Sequence, residues 1–162
     1  TFGQLCRTAG IQLLYHNHDF EFVKLSGQYG LDFLYSAVPA CLLATELDTC
    51  WVKVAGEDPS AYIRKYAGRC PVVHLKDFVG SKKQGEKLYA LIQADGKDDD
   101  PSVSEDLAFD FRPVGHGVQD IPSIINAGLE SGAEWFIVEQ DRSSQRPALE
   151  AAKMSCDYVR GL

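Results

Sequence analysis

The chain has 162 residues, 45% of them hydrophobic, with a formal net charge of −7 and a pI near 5.0. That is enough for one domain with a buried core, and the acidic surface repels phosphate backbones, which makes nucleic acid a poor partner. No apolar run approaches ~20 residues, so nothing in the sequence reads as a membrane span, and no signal peptide is visible.

Phe2, Leu5, Cys6 and Ala9 recur at helical spacing before Gly10, which predicts an opening helix. The chain starts at Thr1 inside that pattern, so the N-terminus reads as a cut. "IQLLY" (11–15) has strand length, "GLDFLYSAV" (30–38) reads as a helix and "CLLATELD" (41–48) as a strand. "DPSAYIRKYAG" (58–68) carries a full set of helix signals: Asp58 as cap, Pro59 in first position and Gly68 as stop. "PVVHLKD" (71–77) is the next strand. Residues 80–110, which hold "DGKDDDPS", read as a long loop or insertion. The basic stretch of Lys82, Lys83 and Lys87 lies there and soon turns acidic. A fifth strand is expected near "FDFRPVG" (109–115). "DIPSIINAGLESG" (120–132) reads as a helix with Ile121, Ile124, Ile125 and Leu129 on its apolar face, and "EWFIVEQD" (134–141) as a strand. A final helix over "RPALEAAKMSCDYV" (146–159) places Leu149, Ala152, Cys156 and Val159 on one face. Strand and helix alternate and the strands are nearly continuous apolar runs, which predicts βα units around a parallel sheet. The five cysteines, Cys6, Cys41, Cys50, Cys70 and Cys156, are odd in number, widely spaced and without a C-x-x-C. They read as reduced thiols and point to a cytoplasmic setting.

Residues i and i+2 of a strand share a face. The C-terminal strand ends therefore present His16 with His18, Glu46 with Asp48, His74 with Lys76, and Glu139 with Asp141. Parallel strands bring such ends to one side of a sheet, where α/β folds build their sites. Clustered ionisable groups are costly to bury unless they pair or bind an ion. Imidazoles with carboxylates suit Mn²⁺, Fe²⁺, Zn²⁺ or Co²⁺, and metal-independent acid–base work by His and Glu is the other reading. Trp51 follows the Asp48 strand end and is a candidate pocket wall. Phe20 and Phe22 read as packing residues. His116, in "GHG", reads first as a turn residue and second as a substrate contact.

"YHNHDFEF", "ELDTCWVKVAGEDPSAYIRKYAGR", "VVHLKD", "GHGVQDIPSII" and "WFIVEQD", in that order and spacing, resemble the sugar phosphate isomerase/epimerase group of the xylose isomerase-like TIM barrels. The resemblance implies a partial (β/α) TIM barrel over 1–162, corresponding to the C-terminal part of the family barrel. It also implies one divalent metal, most often Mn²⁺, with Asp48, His74 and Glu139 as ligands. The family's first glutamate place falls on or beside His16, a departure that leaves His16 or the nearby Glu21 to fill it. A histidine-rich first strand end resembles the inosose dehydratase branch and the lyases of 3-keto sugars.

The resulting expectation is a metal-dependent sugar isomerase or epimerase acting on a sugar, sugar phosphate or keto sugar through an enediolate. An inosose dehydratase-like or 3-keto-sugar lyase outcome is the alternative, and a non-catalytic fragment or partner subunit is the other. Glu139 or His18 would be the base, Lys76 would steady the oxyanion, and Glu21, Trp51, Asp141 and His116 would meet the substrate. A half-barrel leaves strand edges open, so a second copy or a partner chain is expected to complete it. The phosphodiesterases of the same superfamily are a weaker match, because they want a further histidine where Trp51 stands.

Overall fold

The computed structural model describes residues 1–81 and 109–162. Almost all of the loop expected at 80–110 lies outside the described residues. In chain order the elements are α1 (Phe2–Thr8), β1 (Leu14–His16), a 3-10 turn (Phe20–Phe22), β2 (Lys24–Leu25), β3 (Gln28–Tyr29), α2 (Gly30–Ala37), β4 (Ala44–Asp48), α3 (Thr49–Val54), α4 (Pro59–Lys65), β5 (Val72–Leu75), β6 (Asp77–Val79), β7 (Asp110–Arg112), α5 (Ile121–Ser131), β8 (Trp135–Val138) and α6 (Ala148–Arg160). They divide into two compact units, Thr1–His74 with Ser123–Ile137, and Leu75–Pro122 with Val138–Leu162.

The first unit is built on the parallel sheet, whose strand order is β1-β4-β5-β8. β4 and β5 are its centre. Leu47 and Val73 are fully buried there, alongside Leu31 of α2 and Ile63 of α4. Burying each such side chain contributes roughly 1.5–3 kcal/mol. β8, by contrast, exposes Trp135 and Ile137 at 66% and 40%, so the expectation of strands buried on both faces holds for the inner pair and not for this edge. The α4 signals act as read: Asp58 Oδ1 accepts from the Ala61 N–H at 2.7 Å, and Gly68 follows the helix at φ +75°. Arg69 donates to the carbonyls of Tyr35, Val38 and Leu43, which ties the end of α2 to the residue before β4.

In the second unit β6 and β7 form an antiparallel pair, with Phe78 opposite Phe111. The strand expected near "FDFRPVG" therefore forms, but outside the parallel sheet. Asp77, 1% exposed, organises the chain beyond β7. Its Oδ1 accepts from the N–H groups of Phe78 and Gln119 at 2.9 and 3.1 Å, and its Oδ2 from those of Gly115 and Gly117 at 3.0 and 2.9 Å. The fit leaves no room for side chains. A Cβ on Gly117 would lie 2.2 Å from Asp77 Oδ1, and one on Gly115, at φ +85°, 2.4 Å from the Tyr158 ring.

Two helices, α1 and α6, are rotated from their expected faces, and α5 keeps most of its own. α1 buries Gly3 and Cys6 and leaves Phe2 and Leu5 exposed. α5 buries Ile121, Ile124 and Ala127 and exposes Leu129. α6 turns Ala151 and Ser155 inward and leaves Leu149 at 87% exposure, because Ser155 Oγ accepts the Val114 N–H at 3.0 Å and Tyr158 packs on Gly115. All five cysteines are free thiols. No helix among the described residues is long and apolar enough to cross a membrane.

Candidate functional site

The register of three neighbouring strands sets the site. His16 pairs with Glu46 across β1 and β4, and Asp48 with His74 across β4 and β5. Parallel partners share a face, and Glu46 and Asp48 are two residues apart, so all four side chains stand on one face at the strand ends. Two diagonal contacts cross this quartet. His16 Nε2 lies 3.4 Å from Asp48 Oδ2, and His74 Nε2 lies 2.7 Å from Glu46 Oε1. The His16 and His74 rings meet edge-on, with centroids 4.7 Å apart.

Local structure holds each member. Asp48, fully buried, uses Oδ1 to cap α3, accepting from the N–H groups of Cys50 and Trp51 at 2.8 and 3.3 Å. This helix was not foreseen, since six residues with two valines and a threonine carry little periodic signal. Asn17, between the two histidines, is fully buried. Its Oδ1 accepts the Asp48 N–H at 2.9 Å and its Nδ2 donates to the Asp48 carbonyl at 3.3 Å. The "HNH" alternation thus sends two imidazoles one way and uses the amide as a clamp on β4. Thr49 Oγ1 donates to the His74 carbonyl at 2.7 Å and pins β5 in the same manner. His18 places its ring 5.0 Å from that of His16, stacked on Phe20 at 5.6 Å and 5.5 Å from Trp51. Trp51 is fully buried, so it is a floor beneath His18. Phe22 packs as expected, at 8% exposure, whereas Phe20 stands 54% exposed against His18.

Glu21 does not join the quartet. Its Oε1 accepts from the Tyr15 hydroxyl at 2.7 Å and its Oε2 from the His18 N–H at 2.9 Å. Burial, and then this bond to Glu21, push the Tyr15 phenol up to about 12. Glu21 therefore supports the turn that carries His18.

In the second unit Lys76, 1% exposed, lies 2.7 Å from Asp141 Oδ2 and 3.5 Å from Glu139 Oε2. Its ammonium sits 5.4 Å from the Phe111 ring centroid, and its carbonyl accepts from Gln119 Nε2 at 3.2 Å. A buried ammonium needs such partners. Asp141, expected to meet the substrate, is placed as an ion-pair partner of Lys76. The Glu139 N–H donates to the Leu75 carbonyl at 3.1 Å. His116 is exposed in the loop after β7, its ring 6.4 Å from that of Tyr158.

The residues of the first unit fit a divalent ion. His16, Asp48 and His74 each offer a donor atom, and these lie within 4.8 Å of one another. Two donors bound at about 2.1 Å and about 90–110° to one ion are roughly 3.0–3.4 Å apart, and the His16–Asp48 separation of 3.4 Å falls at that limit. Two imidazoles with a carboxylate are a borderline donor set suited to Mn²⁺, Fe²⁺, Co²⁺ or Zn²⁺.

The family model described as a xylose isomerase-like TIM barrel matches residues 2–162. The chain belongs to that family. Among its relatives are proteins named inosose dehydratase from Clostridium beijerinckii, 31% identical over 163 residues, and from Clostridium botulinum, 32% identical over 164 residues. Each alignment covers 98% of this chain and 50% of the relative, so the chain spans about half the length of the relatives it matches. A solved sugar phosphate isomerase/epimerase from Parabacteroides distasonis superposes with a TM-score of 0.70 at 20% identity, over 98% of this chain and 48% of that one. A xylose isomerase domain protein from Planctomyces limnophilus gives 0.63 at 14% identity, over 98% and 47%. At these identities the two structures speak for the fold: parallel strands alternating with helices, as a partial TIM barrel. Glu46 was not singled out as a site residue from the sequence, although its shared face with Asp48 was legible.

Proposed function

We propose that the protein, in its complete form, is a divalent-metal-dependent sugar enzyme that removes the proton next to a carbonyl, and that its substrate is a cyclic keto polyol of the inosose kind. The observation that carries this reading is the convergence of His16, Asp48 and His74 at the ends of three adjacent parallel strands. The relatives named inosose dehydratase support the choice of substrate.

A bound ion, Mn²⁺ by preference, would polarise the carbonyl and the neighbouring hydroxyl of the substrate. His16, Asp48 and His74 would hold it, and the sequence resemblance gives Glu139 the fourth place. His18, steadied between Phe20 and Trp51, or Glu139 takes the proton from the α-carbon, and the C–H electrons form an enediolate. Lys76 steadies the oxyanion. The hydroxyl on the β-carbon then leaves as water, taking back the proton that the base removed, while the enediolate electrons re-form the carbonyl and make the new Cα=Cβ double bond. A positioned proton carrier contributes roughly 10²–10⁴-fold.

The test is to load the protein with Mn²⁺ and incubate it with inososes and a panel of keto sugars in heavy water. Elimination of water from an inosose is the expected result. Deuterium entry at the α-carbon without elimination would place the protein in the isomerase branch. Neither exchange nor product across the panel, with the complete protein, would overturn the sugar reading.

A further inference from the structure

His18 lies beyond the end of β1 at His16, so the strand ladder no longer holds its peptide. Side chains hold it instead. The His18 N–H donates to Glu21 Oε2 at 2.9 Å, and Asn17 Nδ2 reaches the His18 carbonyl at 3.5 Å. Glu21 is itself anchored. Its Oε1 accepts from the Tyr15 hydroxyl at 2.7 Å, and Tyr15 pairs with Thr45 in the parallel sheet. The carboxylate is thus a brace between β1 and the residue just past its end. It is only 8% exposed, and a buried carboxylate is costly unless its oxygens are met. Here each oxygen has its donor. The ring of His18 is confined as well. Phe20, which opens the 3-10 turn that carries Glu21, lies nearly parallel to it, 6° apart in plane and 5.6 Å between centroids. Trp51 lies 5.5 Å away.

A turn that merely ends β1 is the competing account. It needs one acceptor for one N–H, and the hydroxyl of a serine or threonine serves elsewhere for that purpose. Glu21 joins three groups instead: β1 through Tyr15, the His18 peptide through its other oxygen, and the His18 ring through the neighbouring Phe20. We infer that Glu21 is a positioning residue for His18, which braces on Tyr15 and holds the imidazole beside that of His16, 5.0 Å away between centroids. It acts through geometry and not through its charge. For turnover this inference rests on the proposal that His18 carries the proton, but the brace itself can be observed without substrate or ion.

The experiment uses the full chain as wild type, Glu21→Gln and Glu21→Ala, with Tyr15→Phe as a milder variant. Proton NMR of the metal-free protein follows the His18 ring signals, which the ring currents of Phe20 and Trp51 displace, and the exchange of the His18 amide. Glu21→Ala is expected to return the ring signals toward free-imidazole positions. It also speeds exchange at His18 about tenfold or more, while the Asp48 amide, held by Asn17, stays as it was. Glu21→Gln keeps both signatures, because its oxygen accepts from His18 and its NH₂ donates to the Tyr15 oxygen. Unmoved ring signals in Glu21→Ala overturn the inference. Where that variant fails to fold, Tyr15→Phe decides: a partial shift of the ring signals sustains the brace, and an unchanged spectrum overturns it. Inosose turnover by the Mn²⁺-loaded protein is the second readout. In Glu21→Ala kcat is expected to fall about 10–100-fold, with KM and Mn²⁺ affinity within about twofold, and the same change adds nothing in a His18→Ala background. A full further loss in that background, or a fall in Glu21→Gln as deep as in Glu21→Ala, overturns positioning. Should the wild type turn over no inosose, the proposed function fails, and the NMR result alone sustains or overturns the brace.

Discussion

Asp48 and Asp77 are both buried aspartates at or just beyond the end of a central strand, and they spend their oxygens differently. Asp77 gives both oxygens to the backbone, accepting from four N–H groups that hold the loop after β7 in place. Asp48 gives one oxygen to the N-terminus of α3 and turns the other toward His16. A carboxylate whose acceptor sites are filled by amides is part of the scaffold. One that divides itself between a helix cap and an imidazole is held rigidly and still faces chemistry. The contrast separates two uses of a buried aspartate, on strands of two different sheets, without appeal to residue type.

Substitution tests that contrast, and the largest effect belongs to the scaffold. Asp77→Ala removes the acceptor of four N–H groups and should cost about 3–5 kcal/mol of stability, read as a shift in urea midpoint. A loss below about 1 kcal/mol would break the comparison. Asp48→Asn should do the reverse. Mn²⁺ binding falls about 100-fold or more, equivalent to about 2.7 kcal/mol, while stability stays within about 1 kcal/mol because the amide oxygen can still cap α3. Unchanged Mn²⁺ binding in both Asp48→Asn and His74→Ala would refute the ligand assignment. Asn17→Ala releases the Asp48 backbone from its clamp and should cost about 1–2 kcal/mol, with a weakening of Mn²⁺ smaller than that of Asp48→Asn. The smallest effect concerns the turn under His18. The Tyr15 phenol is raised from 10.0 to about 12 by burial first and by Glu21 second, so it holds its proton more tightly folded than unfolded. Its contribution to stability is complete below pH 10.0 and fades as the pH rises toward 12. Phenolate absorbance, compared with Tyr15→Phe, should show Glu21→Gln lowering this pKa only part of the way, since the burial remains.

Much of the fold is legible in the sequence because its signals are local. Asp58, Pro59 and Gly68 bracket α4 by cap chemistry alone, and the apolar runs of β4 and β5 announce a doubly covered sheet. The i, i+2 rule pairs His16 with His18, Glu46 with Asp48 and His74 with Lys76 at their strand ends, and the register across β1, β4 and β5 then puts His16, Asp48 and His74 on one face. What escaped depends on non-local partners. The faces of α1, α5 and α6 follow from what each helix meets, which is why Leu5, Leu129 and Leu149 lie outward despite their spacing. The pairing of β6 with β7 joins segments far apart in sequence. The roles of Glu46, Asn17 and Asp141 need a partner strand or side chain to be visible, and composition gives no hint that Glu21 is occupied by Tyr15 and His18.

Gly115 and Gly117 flank His116 in a loop where space, not chemistry, is scarce. In a library of variants selected only for folding, both glycines should vanish from the tolerated set at once, since one faces an aromatic ring and the other a buried carboxylate. His116, exposed between them, should drift freely under the same selection. If His116 becomes restricted only when turnover is selected as well, the triplet "GHG" divides into two parts with separate histories: a steric hinge written by packing, and a central residue answerable to the substrate alone.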